Sequence, residues 1–285
     1  MSQQPPHYGF KQGEYNSGMG GMPPGPGGFS GAGMMPPPPM YIPPPTYHSA
    51  DAEANDGGPK GSFSFDDKSV RRGFIRKVYM ILSVMLLAVA GMTAACVFTK
   101  PVKLWVQRHS WSYYVSYAVF LCVYFPLMCC KSVRRKFPIN MILLAILTLA
   151  IGYMTAMISS FYDTKIVFIG MGICALVCVS ITLFAINTKY DFTSIQGVVF
   201  VIFMVVFFFG IFAIIFRSQI MMAVYGGIMA LIFMVFLAID TQMLMGGKRY
   251  EFSPEDYIFA VTQLFMDIIQ IFWFLLQLLG MISND

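Results

Sequence analysis

Seven apolar segments dominate the chain, and each is long enough to cross a membrane as a helix. A bilayer core of about 30 Å requires about 20 apolar residues in an α-helix. Lipid offers the backbone no hydrogen-bond partners, so a chain crosses a membrane either as helices or as a closed β-barrel. The alternation of apolar and polar residues that is typical of a β-barrel is absent here, which leaves helices. We therefore predict an all-α, polytopic membrane protein with seven transmembrane helices. The predicted spans are residues 78–99, 112–130, 137–160, 166–186, 194–216, 219–245 and 257–282.

The chain ahead of the first span has a different composition. It is polar and rich in Pro and Gly, with too few aliphatic residues to bury a core that would offset the entropy of ordering it. We predict a disordered Pro/Gly/Tyr-rich cytosolic tail at residues 1–68 and a seven-helix transmembrane domain at residues 69–285. The chain starts without an apolar run behind basic residues, so the first span is expected to act as an uncleaved targeting signal.

Basic residues near the span ends set the expected orientation. Cytosolic ends carry an excess of Lys and Arg. With a cytosolic tail, twelve such residues fall on the cytosolic side and five on the other, so the C-terminus is lumenal and a seven-helix receptor, whose N-terminus is outside, is disfavoured. The basic residues cluster at helix ends, where they indicate topology, so no nucleic acid partner is expected. The five on the far side are Lys100, Lys103, Arg108, Lys165 and Arg217.

Two closely spaced copies of a short motif lie in the later part of the tail. Pro38-Pro39-Met40-Tyr41 and Pro44-Pro45-Thr46-Tyr47 both match the PPxY ligand of WW domains. In such ligands the prolines pre-form a polyproline II helix and the tyrosine docks in a pocket. The sequence predicts binding to a WW-domain ubiquitin ligase; the alternative is a Pro-rich spacer in which the tyrosines fall by chance.

Two aspartates stand inside the apolar spans. Of fourteen acidic residues, only Asp240 and Asp267 do so, on the last two helices. An ionised Asp at the bilayer centre costs about 3 kcal/mol, so such residues usually face a protein interior or a water-filled path. A hairpin turning near Ser253 would bring them to one depth, whereas an earlier helix end at Gly246-Gly247 would leave Asp240 nearer the cytosol. The alternative is that each carboxyl only bonds a neighbouring helix.

Polar residues at helical spacing accompany these acids. Gln263 and Gln270 lie four residues before and three after Asp267, on one face of the seventh helix. Thr148 and Thr155 belong to a small, polar stripe on the third. Such stripes often serve helix packing, but beside two carboxylates these four residues become candidates to line a cation path.

A pair of carboxyls at lipid depth would couple protonation to structure. Repulsion between like charges and desolvation favour a shared proton. When protonated the pair can bond to each other and hold the two helices together; when deprotonated they repel, attract a hard cation and favour opening. Asp240 and Asp267 are thus a candidate pH sensor, gate and Ca²⁺ site, closed by acid and opened by alkali.

Four stretches of the chain match a known family, at residues 66–79, 238–242, 253–257 and 264–272. On these residues the chain resembles, from Phe65 onward, the transmembrane BAX inhibitor motif family, in its lifeguard or glutamate-receptor-associated branch. The resemblance implies a seven-helix calcium-permeable leak of internal membranes, such as the endoplasmic reticulum or Golgi, that lowers stored calcium and restrains apoptosis. It also implies that Asp240 and Asp267 are the pH-sensing pair and that a second-span arginine can pair with them; the nearest matches are Arg134 and Arg135.

Three functional classes fit at least part of this pattern. The first is the calcium leak, with Ca²⁺ as the transported ion and no cofactor. The second is a non-transporting membrane adaptor that binds apoptosis regulators, receptors or WW-domain ligases. The third, an intramembrane aspartyl protease, is disfavoured because Asp240 follows Ile239 and Asp267 follows Met266 rather than the Tyr and Gly of that class. We therefore expect no enzyme activity, and membrane lipid as a constant partner.

Overall fold

A computed structural model describes residues 63–216 and 218–282, with side chains from Lys68 onward. These residues are helical with short connections, and seven helices are long and apolar enough to cross a membrane, which confirms the predicted fold class. The two PPxY motifs and residues 1–62 of the predicted tail lie outside these residues, so WW-domain binding and disorder there stay predictions. Residues 63–68, which were assigned to the disordered tail, form the start of a helix. The α-helices are α1 (Phe63–Phe98), α2 (Lys100–Arg108), α3 (Trp111–Cys129), α4 (Lys131–Arg135), α5 (Ile139–Ser160), α6 (Thr164–Asn187), α7 (Gln196–Phe216), α8 (Gln219–Met245) and α9 (Tyr257–Ile282).

Helix α1 begins earlier than the apolar pattern predicts. It has 36 residues and starts at Phe63, well before residue 78. At 1.5 Å per residue it is about 54 Å long, far more than the hydrocarbon thickness. Its basic N-terminal part therefore extends beyond the hydrocarbon, where it contacts the connection between α8 and α9.

Two short helices were not predicted, because neither is long or apolar enough to span. The nine-residue α2 carries Pro101 in its first turn, where a backbone N–H would have no intrahelical acceptor anyway. Lys103 Nζ donates to the carbonyl of Tyr162 at 3.0 Å, and Gln107 Nε2 donates to that of Ser160 at 2.6 Å. Ser160 is the last residue of α5 and Tyr162 lies two residues beyond it, so α2 supplies partners for carbonyls at and just after the end of α5.

The core is built around α5 and α9. α1 and α3 pack on α5, α8 packs most extensively on α9, and α6 packs on both α8 and α9. The predicted small stripe on α5 is buried and allows close approach: a Cβ at Gly152 would lie 2.7 Å from Met92 Sδ on α1. α7 packs mainly on α8 and is the most apolar span, as expected for a helix that faces lipid.

Side-chain hydrogen bonds link the α6–α7 connection to the α8–α9 connection at the predicted cytosolic ends of these helices. Gln242 on α8 accepts a hydrogen bond from the N–H of Phe192 at 2.8 Å and donates to the carbonyl of Tyr190 at 2.8 Å. Asp191 accepts from the Thr193 hydroxyl and from the N–H groups of Thr193 and Arg249. These hydrogen bonds hold the pKa of Asp191 below its usual range, and the bond from the Thr193 hydroxyl has the largest effect. The connection between α6 and α7 is thereby fixed to that between α8 and α9.

Candidate functional site: a buried carboxylate pair

Asp240 and Asp267 meet inside the helix bundle. Only 6% of Asp240 and 7% of Asp267 is exposed, and their carboxyl groups lie close enough to interact with each other. Two ionised carboxylates can only accept hydrogen bonds, so a hydrogen bond between them requires a proton. The arrangement is one in which two buried carboxyls can share one proton.

The pair meets because α8 and α9 are staggered. α8 ends at Met245, five residues after Asp240, whereas α9 begins at Tyr257, ten residues before Asp267. Gly246 and Gly247, both with positive φ, end α8. The connection then folds back on α8, since the N–H of Phe252 donates to the carbonyl of Met243 at 2.9 Å. The early helix end therefore occurs, but the stagger still brings the two carboxyls together.

Nearer the N-terminal end of α8, a small residue allows α8 and α9 to approach closely. A Cβ at Gly226 would lie 3.6 Å from Gln277 Cδ and 3.7 Å from the carbonyl oxygen of Phe274, both on α9. These are ordinary contact distances, so the backbones are already near each other. This small-residue contact on α8 thus faces α9, the helix that carries Asp267.

Other helices contribute neighbours that the sequence pattern did not indicate. Tyr124 on α3 lies close enough to both carboxyls to interact with them electrostatically, and Cys178 on α6 does so with Asp267. Beside Asp240 in sequence, the Thr241 hydroxyl faces that of Tyr79 on α1 without a well-aligned hydrogen bond. A tyrosine or cysteine in an apolar span is common, so only the tertiary structure identifies these residues.

Several buried polar atoms at the site have no hydrogen-bond partner among the described residues. Among the described residues, four buried side-chain oxygens have no hydrogen-bond partner, and Asp267 Oδ2 and the Tyr79 and Thr241 hydroxyls are three of them. Buried polar atoms in folded proteins are normally paired. The carboxyl of Asp267 therefore has an acceptor atom available for a proton donor or a cation.

The site does not form a complete metal cage. Within residues 68–216 and 218–282, no group of three or more His, Cys, Asp or Glu side chains is arranged to hold a metal ion. Ca²⁺ normally takes about six to eight oxygen ligands. Two carboxyls could contact a partly hydrated cation in transit, but they do not supply a storage site.

Among the described residues, none of the four candidate path residues makes a hydrogen bond to Asp240 or Asp267. Gln263 and Gln270 are half-buried on α9. Thr148 donates to the carbonyl of Leu144 on its own helix at 2.8 Å, and Thr155 accepts from Trp273 Nε1 at 3.0 Å. These two threonines therefore make packing contacts. Their role in lining a path stays a prediction.

Arg134 and Arg135 pair with a different acid. Arg134 Nε and Nη2 each lie 3.2 Å from an oxygen of Asp256, and Arg135 Nε lies 2.8 Å from Asp256 Oδ1. Arg135 also forms an ion pair with the exposed Glu255 at 2.8 Å. Both acids stand just before α9. In this structure the arginines therefore hold the start of α9 and not the buried pair.

Arg71 on α1 holds the other end of the connection. It donates to the carbonyls of Met243 and Phe252 at 2.7 Å and of Met245 at 3.2 Å, and it lies 3.7 Å from Glu251. A guanidinium with its donors in a planar fork suits several acceptors at once. Arg71 thus supplies partners to carbonyls at the end of α8.

Comparison with known proteins places this site in a family. The family model described as Bax1-I, inhibitor of apoptosis-promoting Bax1, matches residues 71–284. The chain belongs to the Bax1-I (TMBIM) family. This confirms the resemblance drawn from the sequence, and Asp240 and Asp267 both lie within the part of this Bax1-I family chain that the model matches.

Relatives of this Bax1-I chain extend across animals and plants. It is 42% identical over 264 residues to protein lifeguard 3 of Mus musculus, covering 90% of this chain and 85% of the relative. It is 46% identical over 224 residues to protein lifeguard 3 of Homo sapiens, covering 77% and 72%. It is 28% identical over 218 residues to protein LIFEGUARD 3 of Arabidopsis thaliana, covering 75% and 86%.

Proposed function

We propose that the protein is a pH-sensitive calcium leak of internal membranes that lowers stored calcium and restrains apoptosis. The burial of Asp240 and Asp267 side by side is the observation that supports it most directly. Membership in a family described as inhibitor of apoptosis-promoting Bax1 supports the restraint of apoptosis. The orientation that goes with this proposal has the N-terminus cytosolic and the C-terminus lumenal.

The mechanism follows from the charge state of the pair. With one proton shared, the carboxyls bond to each other and hold α8 against α9, which is the closed arrangement. When that proton is lost, two like charges about 4 Å apart repel by about 4 kcal/mol at an effective dielectric constant of ~20. Because each ~1.4 kcal/mol changes an equilibrium tenfold, this repulsion is large enough to favour opening. The freed carboxylates then attract Ca²⁺, so acid closes the path and alkali opens it.

Calcium flux from liposomes tests the proposal. Purified full-length protein is reconstituted, and Ca²⁺ flux is measured over a series of pH values. We expect flux to rise roughly tenfold or more from acid to alkaline pH, as the repulsion predicts. Asp240→Asn and Asp267→Asn each remove one titratable group and one charge, so both variants are expected to lose the pH response.

A matched control uses an aspartate outside the spans. Asp163 is exposed in the connection before α6, so Asp163→Asn is expected to keep the wild-type pH response. Absence of flux at any pH would contradict the calcium leak. Flux that rises with pH equally in wild type, Asp240→Asn and Asp267→Asn would retain transport and reject the carboxylate pair as its gate.

The paired PPxY motifs support a second candidate role as a membrane adaptor. Full-length protein is expected to bind a WW-domain ubiquitin ligase through Tyr41 and Tyr47, and the Tyr41→Ala/Tyr47→Ala variant to bind at least about tenfold more weakly, a loss of about 1.4 kcal/mol. Titration of the purified WW domain measures this. Tyr15→Ala, which changes a tail tyrosine outside any Pro-Pro-x-Tyr sequence, should bind like wild type. Equal affinity of all three proteins would reject the motif assignment.

A further inference from the structure

A long cavity lies between α1 and α6. Its volume is about 410 Å³, and its floor is formed by Ile269 and Phe272 of α9. α1 and α6 both pack on α9 but hardly touch each other, which leaves a cleft between them. Ser83 and Ala90 of α1 and Val179 of α6 line the cavity and are exposed. The cleft therefore opens at the outer surface of the helix bundle.

The position of the cleft selects a hydrocarbon chain as its occupant. On α1 the lining runs from Tyr79 to Thr93, which is about 21 Å of helix rise, more than the ~15 Å of one hydrocarbon leaflet. Most of the lining is apolar, including Leu86 and Leu183. At this depth the outer surface of the protein meets lipid tails, so an acyl chain is the molecule that the opening admits.

Positive charge lies at one end of the same face. Arg72, Arg76, Tyr79 and Ser83 follow helical spacing of four, three and four residues, so they share the face of α1 that lines the cleft. From Tyr79 to Phe98, α1 rises about 28 Å, close to the hydrocarbon thickness. Arg72 and Arg76 therefore lie at the level of the lipid headgroups.

Neither arginine is engaged by the protein. Both are exposed, and within the described part of the chain neither makes a hydrogen bond or an ion pair, in contrast to Arg71 beside them. Guanidinium groups bind phosphate oxygens with paired, charge-assisted hydrogen bonds. Two free guanidiniums above an apolar cleft match a molecule with an anionic phosphate head and a hydrocarbon tail.

We propose that the cleft between α1 and α6 binds one acyl chain of an anionic phospholipid whose phosphate is held by Arg72 and Arg76. The inner wall of this site adjoins the carboxylate pair. Cys178 lines the cleft and interacts with Asp267, and Tyr79 lines it and faces Thr241, next to Asp240. A bound chain therefore excludes water from this side of the pair. The lipid site itself does not depend on calcium transport.

Lipid binding to the purified full-length protein in detergent tests the site. Native mass spectrometry with dioleoyl phosphatidylglycerol and dioleoyl phosphatidylcholine as probes measures how many lipids are retained and with what affinity. We expect one retained phosphatidylglycerol, bound at least tenfold more tightly than phosphatidylcholine. Arg72→Gln/Arg76→Gln should remove that preference, whereas Lys131→Gln/Lys136→Gln, with the same change of charge at exposed positions on the same predicted side, should keep it.

A second variant tests the cleft separately from the charges. Ala90→Phe places an aromatic ring at the lining of the cleft, so it should weaken phosphatidylglycerol binding at least tenfold. Inorganic phosphate, which has no chain, should not compete. Equal binding of the two lipids, or phosphatidylglycerol binding unchanged in Arg72→Gln/Arg76→Gln, would overturn the proposal, and this variant alters only exposed side chains. Displacement by inorganic phosphate together with wild-type binding by Ala90→Phe would also overturn it, since that result describes a headgroup site without the cleft.

Discussion

Asp256→Ala is expected to destabilise the protein by about 3 kcal/mol. Asp256 is the acid that both Arg134 and Arg135 bind, and only 7% of Arg134 is exposed. Removing one partner of a buried ion pair leaves an uncompensated charge, which typically costs about 3–5 kcal/mol. We take the lower end because Arg134 Nη1 keeps its bond to the carbonyl of Met128. For a domain of this size the apparent Tm in detergent should fall by roughly 6–12 °C.

The neighbouring acid provides a matched control. The side chain of Glu255 is 71% exposed and, among the residues that the structure describes, pairs only with Arg135, so Glu255→Ala should cost less than about 1 kcal/mol. In the double variant Arg134→Met/Asp256→Ala the buried charge is absent, and part of the lost stability should return. Similar losses for Glu255→Ala and Asp256→Ala would show that burial of Arg134 does not set the cost.

Arg71→Ala is expected to cost about 2–4 kcal/mol and to loosen the connection between α8 and α9. Three backbone carbonyls, of Met243, Met245 and Phe252, lose a charged donor. Hydrogen bonds to charged groups contribute about 1.5–3 kcal/mol each, and water can replace part of this because the site is only partly buried. Thermal unfolding measures the loss of stability, and hydrogen exchange should accelerate across residues 243–252.

Two further variants show whether the effect belongs to the guanidinium. Lys68 is exposed on the same helix, and Lys68→Ala should leave both stability and hydrogen exchange unchanged. Arg71→Lys keeps the charge but lacks the planar fork, so it should recover only part of the wild-type stability. Full recovery by lysine would assign the effect to charge alone, and no effect of Arg71→Ala would contradict the assigned hydrogen bonds.

The spans could be predicted because membrane crossing imposes a local rule. A helix in lipid must carry about 20 apolar residues in sequence, so the pattern within each segment is sufficient. The same rule identifies Asp240 and Asp267 as exceptions, because a charge at that depth is costly wherever the other helices lie. The helix count and the two acids therefore followed from residues close together in the chain.

Features that depend on distant residues could not be predicted. Arg71 and its acceptor Phe252 are 181 positions apart, and Arg71 stood in a basic run that served as a topology signal. Arg134 was considered for the buried pair and instead binds Asp256, 122 positions away. The relative depth of the two aspartates depended on how the connection folds back on α8, which no local pattern specifies.

The anchoring of the α8–α9 connection determines where this hairpin can move. Arg71 fixes the end of α8 and Arg134 fixes the start of α9, so both helices are tethered to other parts of the bundle at the same membrane face. The carboxyls of Asp240 and Asp267 stand beyond those tethers. If the two carboxyls separate, α8 and α9 must therefore tilt apart about the tethered face. The distance between the two helices then increases toward Gly226 and the opposite side of the membrane.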